Sequence, residues 1–134
     1  MGFEDGRILN SLSVVRKACQ RDIHPKGWGY EIWIENVPEY CGKILHLLPG
    51  KKTSMHFHAV KKETMYVLSG TLVMEMLDLT TGKSSIERLD EGDSLMISTF
   101  KPHRLMGGPL SGCDVMEVST QHFEYDSYRI EKGD

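Results

Sequence analysis

The sequence predicts an all-β chain, an antiparallel double-sheet jelly-roll β-barrel with a short N-terminal helix, and three observations predict it. From Gly29 onward, short runs rich in β-branched, aromatic and methionine residues recur about every ten residues, broken by Gly, Pro, Asn and Asp. No run after Gly29 is long enough for the crossover helix that parallel strands need, so neighbours should pair antiparallel. Finally, 134 residues suffice for one hydrophobic core and not for two. The division that follows is an N-terminal helix or arm over residues 1–27 and a barrel with a C-terminal tail over 28–134, one domain overall.

Taken in order, residues 7–21 (RILNSLSVVRKACQR) place Ile8, Leu9, Leu12, Val15 and Ala18 near a helical period, which predicts one amphipathic helix covering an edge. Strands are expected at Tyr30 to Glu35, Lys43 to Leu48, Thr53 to His58, Thr64 to Leu68 and Thr71 to Leu77. More follow at Ser84 to Leu89, Ser94 to Ile97, His103 to Met106 and Asp114 to Thr120. Turns fall at Pro49-Gly50, Ser69-Gly70, Thr81-Gly82, Glu91-Gly92 and Gly107-Gly108-Pro109, where Gly offers positive φ and Pro a fixed one. The tail from Phe123 is expected to pack outside the barrel. So small a sandwich leaves edge strands that a second copy can cover, which predicts a homodimer.

Sixteen Lys and Arg against nineteen Asp and Glu, a formal charge of −3, create no field suited to a nucleic acid or a lipid surface. A small-molecule partner is expected instead. The longest apolar runs are a few residues, whereas a membrane span needs about 20. Glu4 and Asp5 stand where a secretory signal needs basic and then apolar residues, so the expected location is cytoplasmic. Cys19, Cys41 and Cys113 are too far apart for a metal knuckle and odd in number, and read as free thiols.

The chemistry concentrates in PGKKTSMHFHAVKKETMYVLSG. His56 and His58 are two apart, so on a strand both rings leave the same face, together with Ser54. A hairpin returns the Glu63 carboxylate to their neighbourhood, and His103 arrives on another strand. Three neutral imidazoles and one carboxylate suit one divalent transition metal per chain, Mn, Fe, Co, Ni or Zn. His46 reads either as a hydrogen-bonded buried histidine or as a catalytic one. His24 and His122 read as surface residues.

Gly50-x5-His56-x-His58-x4-Glu63-x6-Gly70 resembles the first motif of the cupin superfamily, and Gly92-Asp93-x9-His103 resembles the second, with Ser98 where Pro is common and Phe100 where Gly is common. The resemblance covers about residues 28–120. It implies a small barrel holding one metal in its mouth through His56, His58, Glu63 and His103. The flanks GWGYE (27–31), Lys43-x6-Gly50, Lys61-x-Glu63, His103-Arg104-Leu105, Met116-Glu117-Val118 and Glu124-x-Asp126-x2-Arg129 resemble the type II mannose-6-phosphate isomerase branch. That branch commonly has Gln at the position of His56, and His-Trp at Thr64-Met65. What the flanks imply is a sugar or sugar-phosphate ligand.

Four protein ligands on a six-coordinate ion leave two positions for neighbouring oxygens such as those of an α-hydroxy carbonyl. Metal-assisted isomerisation or epimerisation of a small sugar or sugar phosphate fits that arrangement. The candidates for a catalytic base are Glu117, His46, Glu75 and Lys61, with Glu63 as ligand and acid-base residue. Lys43, Lys61, Arg104 and Arg129 could bind a phosphate. Two alternatives stand beside the isomerase: a ferrous-dependent dioxygenase and a metal- or sugar-binding module without turnover.

Overall fold

The computed structural model describes residues 7–9 and 13–134. It is built of strands: β1 (Arg7–Leu9), β2 (Ser13–Val15), β3 (Asp22–Lys26), β4 (Gly29–Val37), β5 (Tyr40–Leu47), β6 (Met55–Phe57), β7 (Glu63–Leu77), β8 (Ser84–Asp90), β9 (Ser94–Ile97), β10 (His103–Gly107), β11 (Cys113–Ser119) and β12 (Tyr128–Glu131). The order across the main sheet is β12-β6-β10-β7-β11-β5-β4-β3, with β8 and β9 also pairing with β7, and every pairing is antiparallel. The sheet curls on itself as an antiparallel half-barrel.

The curl depends on β7. Its first half pairs with β11 and β9, and its second half pairs with β10 and β8. The turn predicted at Ser69-Gly70 is therefore a bend inside one continuous strand. Gly70 has φ +77°, and a Cβ there would run into the carbonyl oxygen of Gly112, so only glycine lets the two backbones pass.

Alternation along β5 is regular: Cys41, Lys43, Leu45 and Leu47 point inward and are buried, while Gly42, Ile44 and His46 point outward. Leu45 and Leu47 meet Met65, Val67, Met74, Leu105 and Val115 in one core. Lys43, His56, His58 and His103 line a cavity whose wall also includes Leu45, Met65 and Leu105.

Two further expectations fail. Of the helix predicted over 7–21, residues 10–12 lie outside the described part, and the rest is the β1–β2 hairpin followed by a single 3₁₀ turn at Ala18–Gln20. The β-branched pair Val14-Val15 suits extended backbone better than helix, and Val14 remains exposed instead of covering an edge. The tail from Phe123 does not pack outside either. Its 3₁₀ turn (Glu124–Asp126) leads into β12, which pairs with β6 next to the histidines. Among the described residues no helix is long and apolar enough to cross a membrane.

Candidate metal centre and charged cavity

β6 and β10 run antiparallel with His103 opposite His56, which brings the rings of His56, His58 and His103 to one place. One ligating atom from each lies within 4.8 Å of the others. Backbone carbonyls set the tautomers. Nδ1 of His56 lies 2.9 Å from the Ser54 carbonyl, Nδ1 of His58 lies 2.8 Å from the Asp126 carbonyl, and Nδ1 of His103 lies 2.9 Å from the Lys101 carbonyl. A carbonyl only accepts, so each Nδ1 carries the hydrogen and each Nε2 is left to ligate. This is the outer support that metal-binding histidines ordinarily have.

Glu63 stands against two of the rings, with Oε1 2.8 Å from His103 Nε2 and 3.7 Å from His58 Nε2. The short contact is poorly directed. Both Glu63 oxygens and His103 Nε2 are buried without a hydrogen bond, a costly arrangement that a shared cation would resolve. The donor set, three imidazole nitrogens and a carboxylate, fits one divalent transition metal ion per chain.

Burial holds the His56 imidazolium down, with the neighbouring His103 adding to it, to a pKa of about 3, and burial likewise lowers His58. Burial would also lower His103, but the Glu63 carboxylate outweighs it and raises that ring. For Glu63 burial favours the neutral acid, and His103 and Lys61 overcome it, so the group is held well below the usual carboxylate range. The site therefore presents imidazole nitrogens beside a carboxylate held in its charged form, the states in which these groups ligate.

The imidazoles open onto a cavity of about 530 Å³ with a charged end. There the Lys61 ammonium lies 3.0 Å from Glu117, 3.2 Å from Glu63 and 3.3 Å from Nδ1 of His122. Burial would lower Lys61, but the two carboxylates raise it well above its ordinary value, so it is locked as a cation. Burial, with Lys43 and Lys61 beside it, pushes His122 down to about 4, which keeps that ring neutral.

Of the predicted site residues, His56, His58, Glu63, His103, Lys61 and Glu117 all line this one cavity. His46 does not. It faces the outer side of β5, where its Nδ1 lies 2.6 Å from Asp114, and it is half-exposed, neither buried nor near the histidine cluster. Glu75 faces Arg104, outside the cavity. Arg104 is held by the Thr53 carbonyl, Glu131 and the Lys132 carbonyl, so it fastens the C-terminal strand.

His122, read as a surface residue, lines the cavity, its backbone clamped by two hydrogen bonds to Asn36. In the sequence, Asp126 carries no signal beyond its place in a flank. It is buried, and its carboxylate accepts from the backbone N–H of Ala59, Val60 and Lys61 at 2.8–3.0 Å, while its carbonyl orients His58. One residue of the tail thus shapes the loop that carries a ligand and a cation. Phe100, standing where the motif commonly has Gly, has φ +63°, the backbone conformation that favours glycine, and its N–H bonds the His58 carbonyl at 2.7 Å.

Residues 43–107 match the family model described as Cupin domain. No curated protein sequence matches the chain. Among solved structures, oxalate decarboxylase from Bacillus subtilis is similar with a TM-score of 0.72 and 19% identity over 82% of this chain and 30% of that one. The same decarboxylase has Mn(II) centres. The capsular polysaccharide assembling protein CapF from Staphylococcus aureus is similar with a TM-score of 0.75 and 15% identity over 83% of this chain and 34% of that one. This chain spans about a third of the length of either, and at these identities the likeness is one of fold.

Proposed function

We propose that this chain, which carries a cupin domain at residues 43–107, is a metal-dependent enzyme that moves a proton beside the carbonyl of a small sugar or sugar derivative. The observation that carries the reading is the Lys61-Glu117 pair adjoining the imidazole cluster inside one open cavity. An ion held by His56, His58, His103 and Glu63 supplies Lewis-acid polarisation of a bound carbonyl. The chain's own residues do the rest.

Glu117 is the buried carboxylate of the cavity that does not face the imidazoles, and it is the base of this proposal. The C–H bond next to the carbonyl breaks, its proton goes to Glu117 and returns to the neighbouring carbon, and the carbonyl and hydroxyl exchange places through a proton passed between their oxygens. No oxidant is consumed. Lys61 stays an ammonium throughout, holding Glu117 and offsetting the negative charge that develops on the substrate. Neutral His122 fixes the third side of that ammonium.

A homodimer belongs to the proposal. The outer face of the sheet carries Tyr66, Met116, Ile44 and Ile32 in one row across four strands, an apolar strip suited to a second copy. Sedimentation at micromolar concentration checks it: a dimer is expected, and a monomer removes it.

The reaction is tested with metal-loaded protein in deuterium oxide and a panel of hexoses, pentoses and their phosphorylated and acidic derivatives. Deuterium at the carbon next to the carbonyl is expected, and Glu117→Gln should lower its rate by 10²-fold or more, on the order of a general-base contribution. No exchange with any of Mn, Fe, Co, Ni or Zn overturns the reading. Running the panel under air with an oxygen electrode separates it from the dioxygenase, which alone would consume oxygen.

A further inference from the structure

The cavity holds a second buried ammonium besides Lys61, and the two are in opposite situations. Lys61 meets Glu117, Glu63 and His122. Lys43, on the neighbouring strand and in register with Glu117, has an ammonium that makes no hydrogen bond to any described residue, although its side chain is only 4% exposed. Its ammonium lies 3.8 Å from Glu31 Oε1, beyond hydrogen-bond range, and 4.2 Å from the centre of the Trp33 ring. The Glu31 oxygen is already engaged, accepting from Trp33 Nε1 at 2.8 Å. The ammonium therefore lines the cavity with a distant counter-ion and a ring face as its neighbours. A buried cation in that state is costly unless acceptor oxygens complete it.

A continuous path of polar side chains leads from this ammonium to the imidazoles: Lys43 beside Glu117, Glu117 on Lys61, Lys61 on Glu63, Glu63 on His103. A molecule that fills the cavity can meet both ends. We propose that Lys43 anchors an anionic oxygen group of the substrate, carboxylate or phosphate, while the other end of the same molecule faces the histidine cluster. The substrate is then an acidic or phosphorylated sugar and not a neutral one. Arg104 is taken up by the C-terminal strand and Lys61 by the two glutamates, so neither can serve this purpose.

The inference rests on the proposed reading of the cavity and names its substrate class. Binding is measured by calorimetry on the full chain, with and without metal, using fructose, fructose 6-phosphate and glucuronate, and inorganic phosphate and acetate as minimal probes. An acidic sugar should bind about 10- to 100-fold more tightly than fructose, the range of one charge-assisted contact. Lys43→Met should erase that margin and leave metal stoichiometry unchanged. Glu31→Gln should move affinity the other way, because it removes the competing carboxylate, and it serves if Lys43→Met does not fold.

The phosphate and glucuronate arms tell which group the anchor prefers. Equal affinity for fructose, an anion preference that survives Lys43→Met, unchanged affinity in Glu31→Gln, or no binding by any anion overturns the inference. Lys43-dependent anion binding without deuterium exchange removes the reaction and keeps the anchor. Exchange of a neutral sugar that Lys43→Met leaves untouched does the reverse.

Discussion

Two histidine-carboxylate contacts sit on opposite faces of the curled sheet. Outside, His46 meets Asp114 at 2.6 Å with the two side chains 34% and 39% exposed. Inside, His103 meets Glu63 at 2.8 Å with exposures of 1% and 2%. The outer pair is satisfied: Asp114 also accepts from the Ser69 hydroxyl, and the His46 ring stacks on Tyr30. The inner pair is as close but leaves Nε2 and both carboxylate oxygens without hydrogen bonds. Contact length therefore does not distinguish a site from a surface pair. Burial with unmet donors and acceptors does, because solvent screens the first pair and cannot reach the second.

The strongest way to break this comparison is to remove the inner rings. His56→Ala/His58→Ala should reduce bound metal from about one ion per chain to near none, read by elemental analysis after purification. Full retention of metal would show that the inner pair is no more a metal site than the outer one.

Next in size is the support beneath it. Asp126→Ala strips three backbone N–H groups of a buried carboxylate, and should cost about 3–5 kcal/mol, lowering the melting temperature by roughly 10 °C or more. The same variant should weaken metal binding through His58, whose Nδ1 partner lies on the same residue.

Acid sharpens the contrast further. His56, His58 and His122 have lowered pKa values, to about 3 for His56 and about 4 for His122, so the unfolded chain takes up protons below pH 6.5 that the folded chain refuses. Stability of the metal-free protein should fall as pH drops from 6.5 toward 4, by up to about 1.4 kcal/mol per pH unit for each ring. His103 acts with the opposite sign. Its raised pKa gives a contribution that is full below 6.5 and lost as pH rises through the folded value, so it adds no slope between 6.5 and 4 and acts only above that window. Denaturant titrations at pH 7, 6, 5 and 4 measure the net slope, and a flat profile would contradict it.

The smallest effect belongs outside. His46→Ala should change stability by less than about 1 kcal/mol and leave metal stoichiometry untouched, since the pair it breaks is half-exposed. A large loss of metal in this variant would erase the distinction between the faces.

Much of this arrangement was legible in the sequence, for reasons that are local. Period-two alternation put His56 and His58 on one face, and the turn glycines bracketed their strands closely enough to match seven of the observed strands within a few residues. The helix over 7–21 failed because apolar spacing was weighed above the extended preference of Val14-Val15. The break at Ser69-Gly70 failed because a glycine that stops a strand and one that bends it look alike until Gly112 is beside it.

Strand content, most turn positions and the types of side chain that could hold an ion are properties of neighbouring residues, and these follow from the sequence alone. Tertiary structure decided the rest. That His46 faces out while Lys61 is consumed by Glu117, 56 residues away, depends on register between strands. That His122 belongs to the cavity depends on Asn36, 86 residues earlier in the chain. That Asp126 orients His58 depends on a tail that enters the sheet, across 68 residues. Burial and hydrogen-bond satisfaction are sums over such distant partners, and they alone separate Lys61, engaged by Glu117, Glu63 and His122, from Lys43, which has only a distant carboxylate and a ring face.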